Sequence, residues 1–167
     1  MERSDRLNIP MTIQWEGKTN RKHFLRHLIE KNNFKTMAEV GVRDGRTTFH
    51  LLDHCPELTI YAIDMSIKEF YNKEVANRYK NRLIPIEATS ELAADQIADC
   101  SLDLVFIDAN HSYDYVKKDI IKYTPKLKEN GLLTGHDIDY PGVNQAVNEM
   151  IKHYDVGPNY VWIKNNL

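Results

Sequence analysis

Short blocks of consecutive apolar residues alternate along the chain with longer stretches in which apolar residues recur at helical spacing. Residues 35–42, 58–63, 82–87, 102–107 and 132–135 are the blocks, compact and rich in β-branched and aromatic side chains, and they read as strands buried on both faces. Between them lie amphipathic stretches. In residues 21–31, Phe24, Leu25, Leu28 and Ile29 share one face behind Asn20 or Thr19 as a cap. A helix from about Arg46 to Asp53 turns Phe49, Leu51 and Leu52 inward, and one capped by Ser66 runs to about Asn81 with Phe70, Val75 and Tyr79 inward. Thr89 and Ser90 open a helix over residues 91–98, and another begins at Tyr113 and is stopped or kinked by Pro125. Pro141 suits the first turn of the next, striped by Val143, Val147, Met150 and Ile151. Residues 154–156, a Gly157-Pro158-Asn159 turn and residues 160–163 close the chain as a hairpin.

Five strands alternating with helices, followed by a hairpin, give seven strands. They predict an open, doubly wound, mostly parallel sheet with an antiparallel final strand. The length of 167 residues fits one cored domain, over 21–167, preceded by a polar arm or lid over 1–20 whose single large aromatic, Trp15, anchors it on the surface. A net charge of −2 gives no basic footprint, so no nucleic-acid partner is expected. Cys55 and Cys100 form neither a disulfide framework nor a metal spacing. No apolar run approaches a membrane span or a signal core, which points to a cytoplasmic protein with a small-molecule substrate and no membrane partner.

In such sheets ligands bind beyond the carboxyl ends of the strands, and the polar signals sit there. The first strand runs into Glu39-Val40-Gly41-Val42-Arg43-Asp44-Gly45-Arg46-Thr47, a glycine loop entering a helix whose unpaired N–H groups face a ligand. Asp64 ends the second strand, about 20 residues beyond the loop, where an acid can accept both hydroxyls of a ribose. The glycines are too far apart for the dinucleotide fingerprint. Glu39 directed into the loop would repel a pyrophosphate and attract an ammonium, so an amino-acid-bearing nucleoside fits better.

These features resemble the class I S-adenosylmethionine-dependent methyltransferases, over nearly the whole chain from Lys22 onward. Residues 103–113 (DLVFIDANHSY), 131–137 (GLLTGHD) and 141–143 (PGV) resemble more closely the small-molecule O-methyltransferases that include macrolide-sugar O-methyltransferases and cephalosporin hydroxylase-like proteins. The resemblance implies the Rossmann-like methyltransferase fold and a cofactor held by Glu39, Gly41, Arg43, Gly45 and Thr47 at the methionine end and ribose. Asp64 and Met65 would hold the ribose and adenine edge, Ala88 and Thr89 would flank the adenine, and Asp108 would lie near the sulfonium. It also extends to metal-dependent O-methyltransferases of the catechol type, which implies a divalent cation, magnesium or manganese, on Asp108, His136 and Asp137. The histidine in that set suits manganese, iron or zinc better than magnesium.

Methyl transfer needs an oxygen nucleophile losing its proton in line with the methyl group. His111, three residues after Asp108 at the opening of a helix, is the candidate general base, and Asp108 its catalytic neighbour. The plainer readings are that Asp108 and Asp137 cap helices and that His111 and His136 are ordinary loop residues. His23, His27, His50, His54 and His153 read as solvated surface residues. A protein that binds S-adenosylmethionine or a sugar nucleotide without turnover is the alternative, motivated by the short N-terminal segment; a second subunit in a homo-oligomer would complete its shallow site. Hydrolysis at a metal centre ranks lower, because it leaves the glycine loop and Asp64 without a role.

Overall fold

In the computed structural model, which describes residues 6–164, the sheet carries seven strands in the order β3-β2-β1-β4-β5-β7-β6. β1 (Thr36–Val40), β2 (Thr59–Asp64), β3 (Leu83–Glu87), β4 (Leu102–Ile107) and β5 (Leu127–Gly135) are mutually parallel. β7 (Trp162–Lys164) runs antiparallel to both β5 and β6 (Tyr154–Val156), closing the edge as the hairpin pattern predicts. The first five residues of the expected N-terminal arm lie outside the described residues.

Each apolar block serves two cores, which is why it lacks polar alternation. In β4, Leu104 and Phe106 face α1 (Arg21–Asn32) and α2 (Arg46–His54), while Val105 and Ile107 face α5 (Tyr113–Tyr123) and α6 (Pro141–Met150). Register aligns the carboxyl ends, with Val40 beside both Ile63 and Ile107, and Ile107 beside Gly135. Four loops therefore leave the sheet along one edge.

Three local expectations change. Ser66 caps no helix: its N–H donates to Asp64 Oδ1 at 3.2 Å in a tight turn, and the chain stays irregular while Phe70 is buried. Helix α3 (Lys73–Tyr79) starts only at Asn72, whose Oδ1 accepts from the N–H groups of Glu74 and Val75. The helix expected over 91–98 is one short element, α4 (Ser90–Ala94), after which Gln96 and Ile97 bond back three residues instead of four. β5 begins at Leu127, through the polar Lys-Glu-Asn segment, because Leu127 pairs with Leu102 before the register shifts.

The arm lies along the C-terminal edge. Leu7 N–H donates to Asp139 O at 2.7 Å, and Thr12 and Ile13 donate to Val156 O at 2.8 and 3.1 Å. Trp15 packs edge-on to Phe24 of α1, with ring centroids 5.0 Å apart. None of the helices in the described residues is long and apolar enough to cross a membrane.

Candidate active site

The aligned strand ends border a cavity of about 830 Å³ that runs from the β1–α2 loop past Asp64 and Thr89 to Asp108, His111 and Asp137. Gly41 shapes its floor. With φ of +91°, it brings the loop so close to the end of β4 that a Cβ there would lie 2.4 Å from the Asp108 carbonyl oxygen. Asp64 ties the loop from the other side, its Oδ2 accepting from the N–H groups of Val42 and Arg43 at 3.0 and 2.8 Å. The acid at the end of β2 is thus a loop anchor as well as a wall of the cavity.

Gly41, Arg43, Thr47, Asp64, Met65, Ala88, Thr89 and Asp108 all line this cavity. Glu39 and Gly45 are not among its lining residues. Gly45 is buried at the start of α2, where a Cβ would meet the Phe49 ring at 2.6 Å. Glu39 is 2% exposed, and its carboxylate accepts from Thr48 Oγ1 inside the domain. The expectation that Glu39 points into the loop is corrected accordingly: strand alternation turns it away from the cavity. Burial pushes its carboxyl up to about 8, against the Thr48 hydrogen bond.

At the far end of the cavity two carboxylates, two histidines and two arginines interlock. Asp137 Oδ2 lies 3.0 Å from His111 Nε2 and 3.1 Å from His136 Nδ1, and that same His136 nitrogen is 3.3 Å from Asp108 Oδ1. Burial alone would lower His136, yet the adjacent Asp108 and Asp137 carboxylates outweigh it and raise the imidazole to about 9. Although burial opposes ionisation of Asp137, His111 and His136 hold its carboxyl well below the usual range. Asp137 also has a φ of +55°, a left-handed conformation uncommon outside glycine that aims its side chain into the cluster.

The metal set expected from the sequence changes with this geometry. Among the described residues, the ligand atoms that converge within 4.8 Å belong to Asp108, His111 and Asp137. His136 is instead buried with its Nδ1 beside both acids, and those carboxylates favour the protonated ring, which has no lone pair for a metal. Neither acid caps a helix: α5 and α6 have Ser112 and Tyr140 at their N-caps, without side-chain cap bonds. Gly142, in the PGV segment, lets α6 press against the loop after β4, where a Cβ would meet the His111 carbonyl oxygen at 2.5 Å.

Sequence reasoning missed Arg6, Arg21 and Tyr140. The Arg6 guanidinium reaches Asp137 Oδ1 at 3.2 Å and Asp139 Oδ2 at 2.9 Å, donates to the Tyr140 hydroxyl at 2.6 Å and lies 3.9 Å from that ring's centroid. Tyr140 stacks on His111, with centroids 4.4 Å apart. Arg21 Nη2 lies 3.3 Å from Asp108 Oδ2. An arginine opening a helix opposes the helix dipole, the one sequence signal that marked Arg21 as used for something else. Nothing local marked Arg6, which reaches the site only because the arm is pinned to Asp139 and Val156.

A mostly parallel sheet with one inserted antiparallel strand, a glycine loop after β1 and an acid at the end of β2 form the arrangement the sequence predicts for a methyltransferase fold. The sequence profile of a methyltransferase-domain family matches residues 38–138. The chain belongs to that family of methyltransferases. A search of curated protein sequences returns no significant match. Among solved structures, the chain is similar to a caffeoyl-CoA O-methyltransferase-like protein from Staphylococcus aureus, with 18% identity, a TM-score of 0.73, and 90% of this chain and 84% of that one covered. It is also similar to a TDP-rhamnose 3'-O-methyltransferase of calicheamicin biosynthesis, with 16% identity, a TM-score of 0.66, and 86% and 79% covered. A third is a Podospora anserina methyltransferase with bound S-adenosylhomocysteine, with 18% identity, a TM-score of 0.63, and 86% and 76% covered.

Proposed function

We propose that the protein transfers the methyl group of S-adenosylmethionine to a hydroxyl of a small molecule, a sugar or secondary metabolite. The observation that carries this reading is a single cavity joining the glycine loop and Asp64 to the Asp108–His111–Asp137 cluster. In this reading Gly41, Arg43 and Thr47 border the methionine end of the cofactor, Asp64 and Met65 its ribose, and Ala88 and Thr89 its adenine. Asp108 lies beside the sulfonium and fixes the acceptor. His111, whose Nε2 lies 3.0 Å from Asp137 Oδ2, takes the hydroxyl proton on its other ring nitrogen, Nδ1, while Asp137 orients the ring and stabilises the charge it gains. Tyr140, stacked on His111, restricts that ring to one plane.

A second reading adds a divalent ion, favoured by the convergence of one imidazole and two carboxylates. Asp108, His111 and Asp137 would hold it; a mixed nitrogen and oxygen set fits manganese, iron or zinc better than magnesium. When bound, the ion would lower the pKa of an acceptor hydroxyl and fix its angle. Arg6 and Arg21 already compensate these acids, so an ion would enter by displacing Arg6 from Asp137.

The test is a methyl-transfer assay with labelled S-adenosylmethionine over a panel of sugar nucleotides and phenolic or macrolide hydroxyls. His111→Ala is expected to lower turnover by about 10²-fold or more, and Asp108→Asn to lower it as well. If both variants turn over like the wild type, the roles are wrong. Exhaustive chelation that leaves the rate unchanged removes the second reading alone.

A further inference from the structure

The wall of the cavity formed by Ala88, Thr89 and Ser90 follows β3 and opens α4, a helix of five residues. Such a helix is too short to support itself, and α4 buries only Ala93 and Ala94 while Leu92 stays exposed. The wall therefore depends on contacts from its neighbours. On the sheet side, the Ala88 N–H donates to Asp64 O at 3.0 Å. On the other side stands α5, where Asp119 and Tyr123 are both buried and lie one turn apart. The Tyr123 hydroxyl donates to Ser90 O at 2.9 Å, and the Asp119 carboxylate accepts from the Ser90 hydroxyl. Ser90 is gripped at its carbonyl and at its side chain.

Asp119 is not among the residues that line the cavity, and stability does not account for it. It is 2% exposed, and burial pushes its carboxyl up to about 6, against the Ser90 hydrogen bond and with Glu91 adding to the rise. The flanking lysines are turned to other acids: Lys118 approaches Glu91 at 4.0 Å and Lys122 pairs with Asp95 at 3.1 Å. A buried acid whose partner is a hydroxyl rather than a cation costs folding free energy that an apolar side chain would not. Its effect is local. Val116 and Ile120 in the core and the packing on α6 fix α5, so two bonds from α5 to Ser90 pass that rigid placement on to the wall.

We propose that Asp119 and Tyr123 are positioning residues for the cofactor: acting through Ser90, they hold the Ala88–Ser90 wall at the separation from Asp64 and Met65 that admits an adenosyl group. Neither residue touches the cofactor. Without them the wall keeps its tie to Asp64 O and the Thr89 cap, whose Oγ1 accepts from the Leu92 N–H at 3.4 Å, but loses its hold on the core side. The wall would then open locally while the rest of the domain stays folded. The inference rests on the reading of this end of the cavity as the adenosine subsite.

The experiment titrates the full chain with S-adenosylhomocysteine by calorimetry, well below the melting transition, and follows amide hydrogen exchange over residues 88–94 in the unliganded protein. Asp119→Ala and Tyr123→Phe are each expected to weaken binding about tenfold and to speed exchange across that segment. Asp119→Asn is expected to bind within about threefold of the wild type, because its amide oxygen still accepts the Ser90 hydroxyl. Ser90→Ala is expected to reproduce Asp119→Ala, and the double variant to be no weaker than either single one. Val147→Ala, a truncation in the core on α6, serves as the control: its melting temperature falls and its affinity does not. The positioning role is overturned if Asp119→Ala and Tyr123→Phe bind like the wild type, or if they lose no more affinity than a core truncation of matched melting temperature. A wild-type chain that binds no S-adenosylhomocysteine overturns the adenosine reading itself, and the role with it.

Discussion

Replacing Gly41 with alanine tests how the glycine loop is held against the end of β4. The new methyl group meets two costs. At φ of +91° an L side chain is strained, by about 1–2 kcal/mol. The Cβ would also stand 2.4 Å from the Asp108 carbonyl oxygen and 2.7 Å from Ala109 Cα. Both are backbone atoms, so a main-chain shift must relieve the contact, at about 1–3 kcal/mol as for other overpacked sites. Together these give a loss of about 2–5 kcal/mol, or roughly 10 °C in melting temperature for a chain of this size. The shift also separates the loop from Asp108, so affinity for S-adenosylmethionine should fall in parallel. Urea unfolding and calorimetric titration of the purified variant measure the two effects. An alanine variant that unfolds and binds the cofactor like the wild type would refute the close approach and the cradle built on it.

Glu39 holds its proton to about 8 in the folded protein against about 4.5 in the unfolded chain. Stability should therefore fall as pH rises between those values, by up to about 1.4 kcal/mol per unit. Glu39→Gln should flatten that decline in urea titrations at several pH values; an unchanged profile would mean the carboxyl is not buried as described. His136, raised to about 9, contributes stability that is fully present below about 6.5 and lost as pH rises through 9, and its ring should remain doubly protonated at neutral pH by nitrogen NMR. A neutral His136 at pH 7 would return it to the ligand set. Asp64→Ala removes the acceptor for two loop N–H groups and should cost about 1–3 kcal/mol along with cofactor affinity.

The apolar blocks were legible because a strand buried on both faces leaves a continuous signature, and β4 matches its expected bounds residue for residue. The glycine loop and Asp64 were legible for a related reason: the carboxyl ends of parallel strands are where polar residues interrupt apolar runs. Ser66 misled because its N–H is taken by the preceding aspartate, a competition between turn and helix cap that composition does not reveal. Strand parity could have placed Glu39, since Val40 and Ala38 face one core and Glu39 the opposite side, but its attraction for an ammonium group outweighed that in the sequence reading. His136 could not be read at all. Whether a histidine is a ligand or a cation depends on what lies within about 3 Å, and its partners are Asp108, far back in the chain, and its own neighbour Asp137. Arg6 is the extreme case, brought from the chain's start to Asp137 by hydrogen bonds that leave no local pattern.

Calorimetric titration of the purified chain with S-adenosylmethionine and, separately, with NAD tests the central claim most directly. Saturable binding of S-adenosylmethionine, weakened by Gly41→Ala and by Asp64→Ala, with no heat from NAD, is the predicted result. Clear binding of NAD and none of S-adenosylmethionine would contradict it.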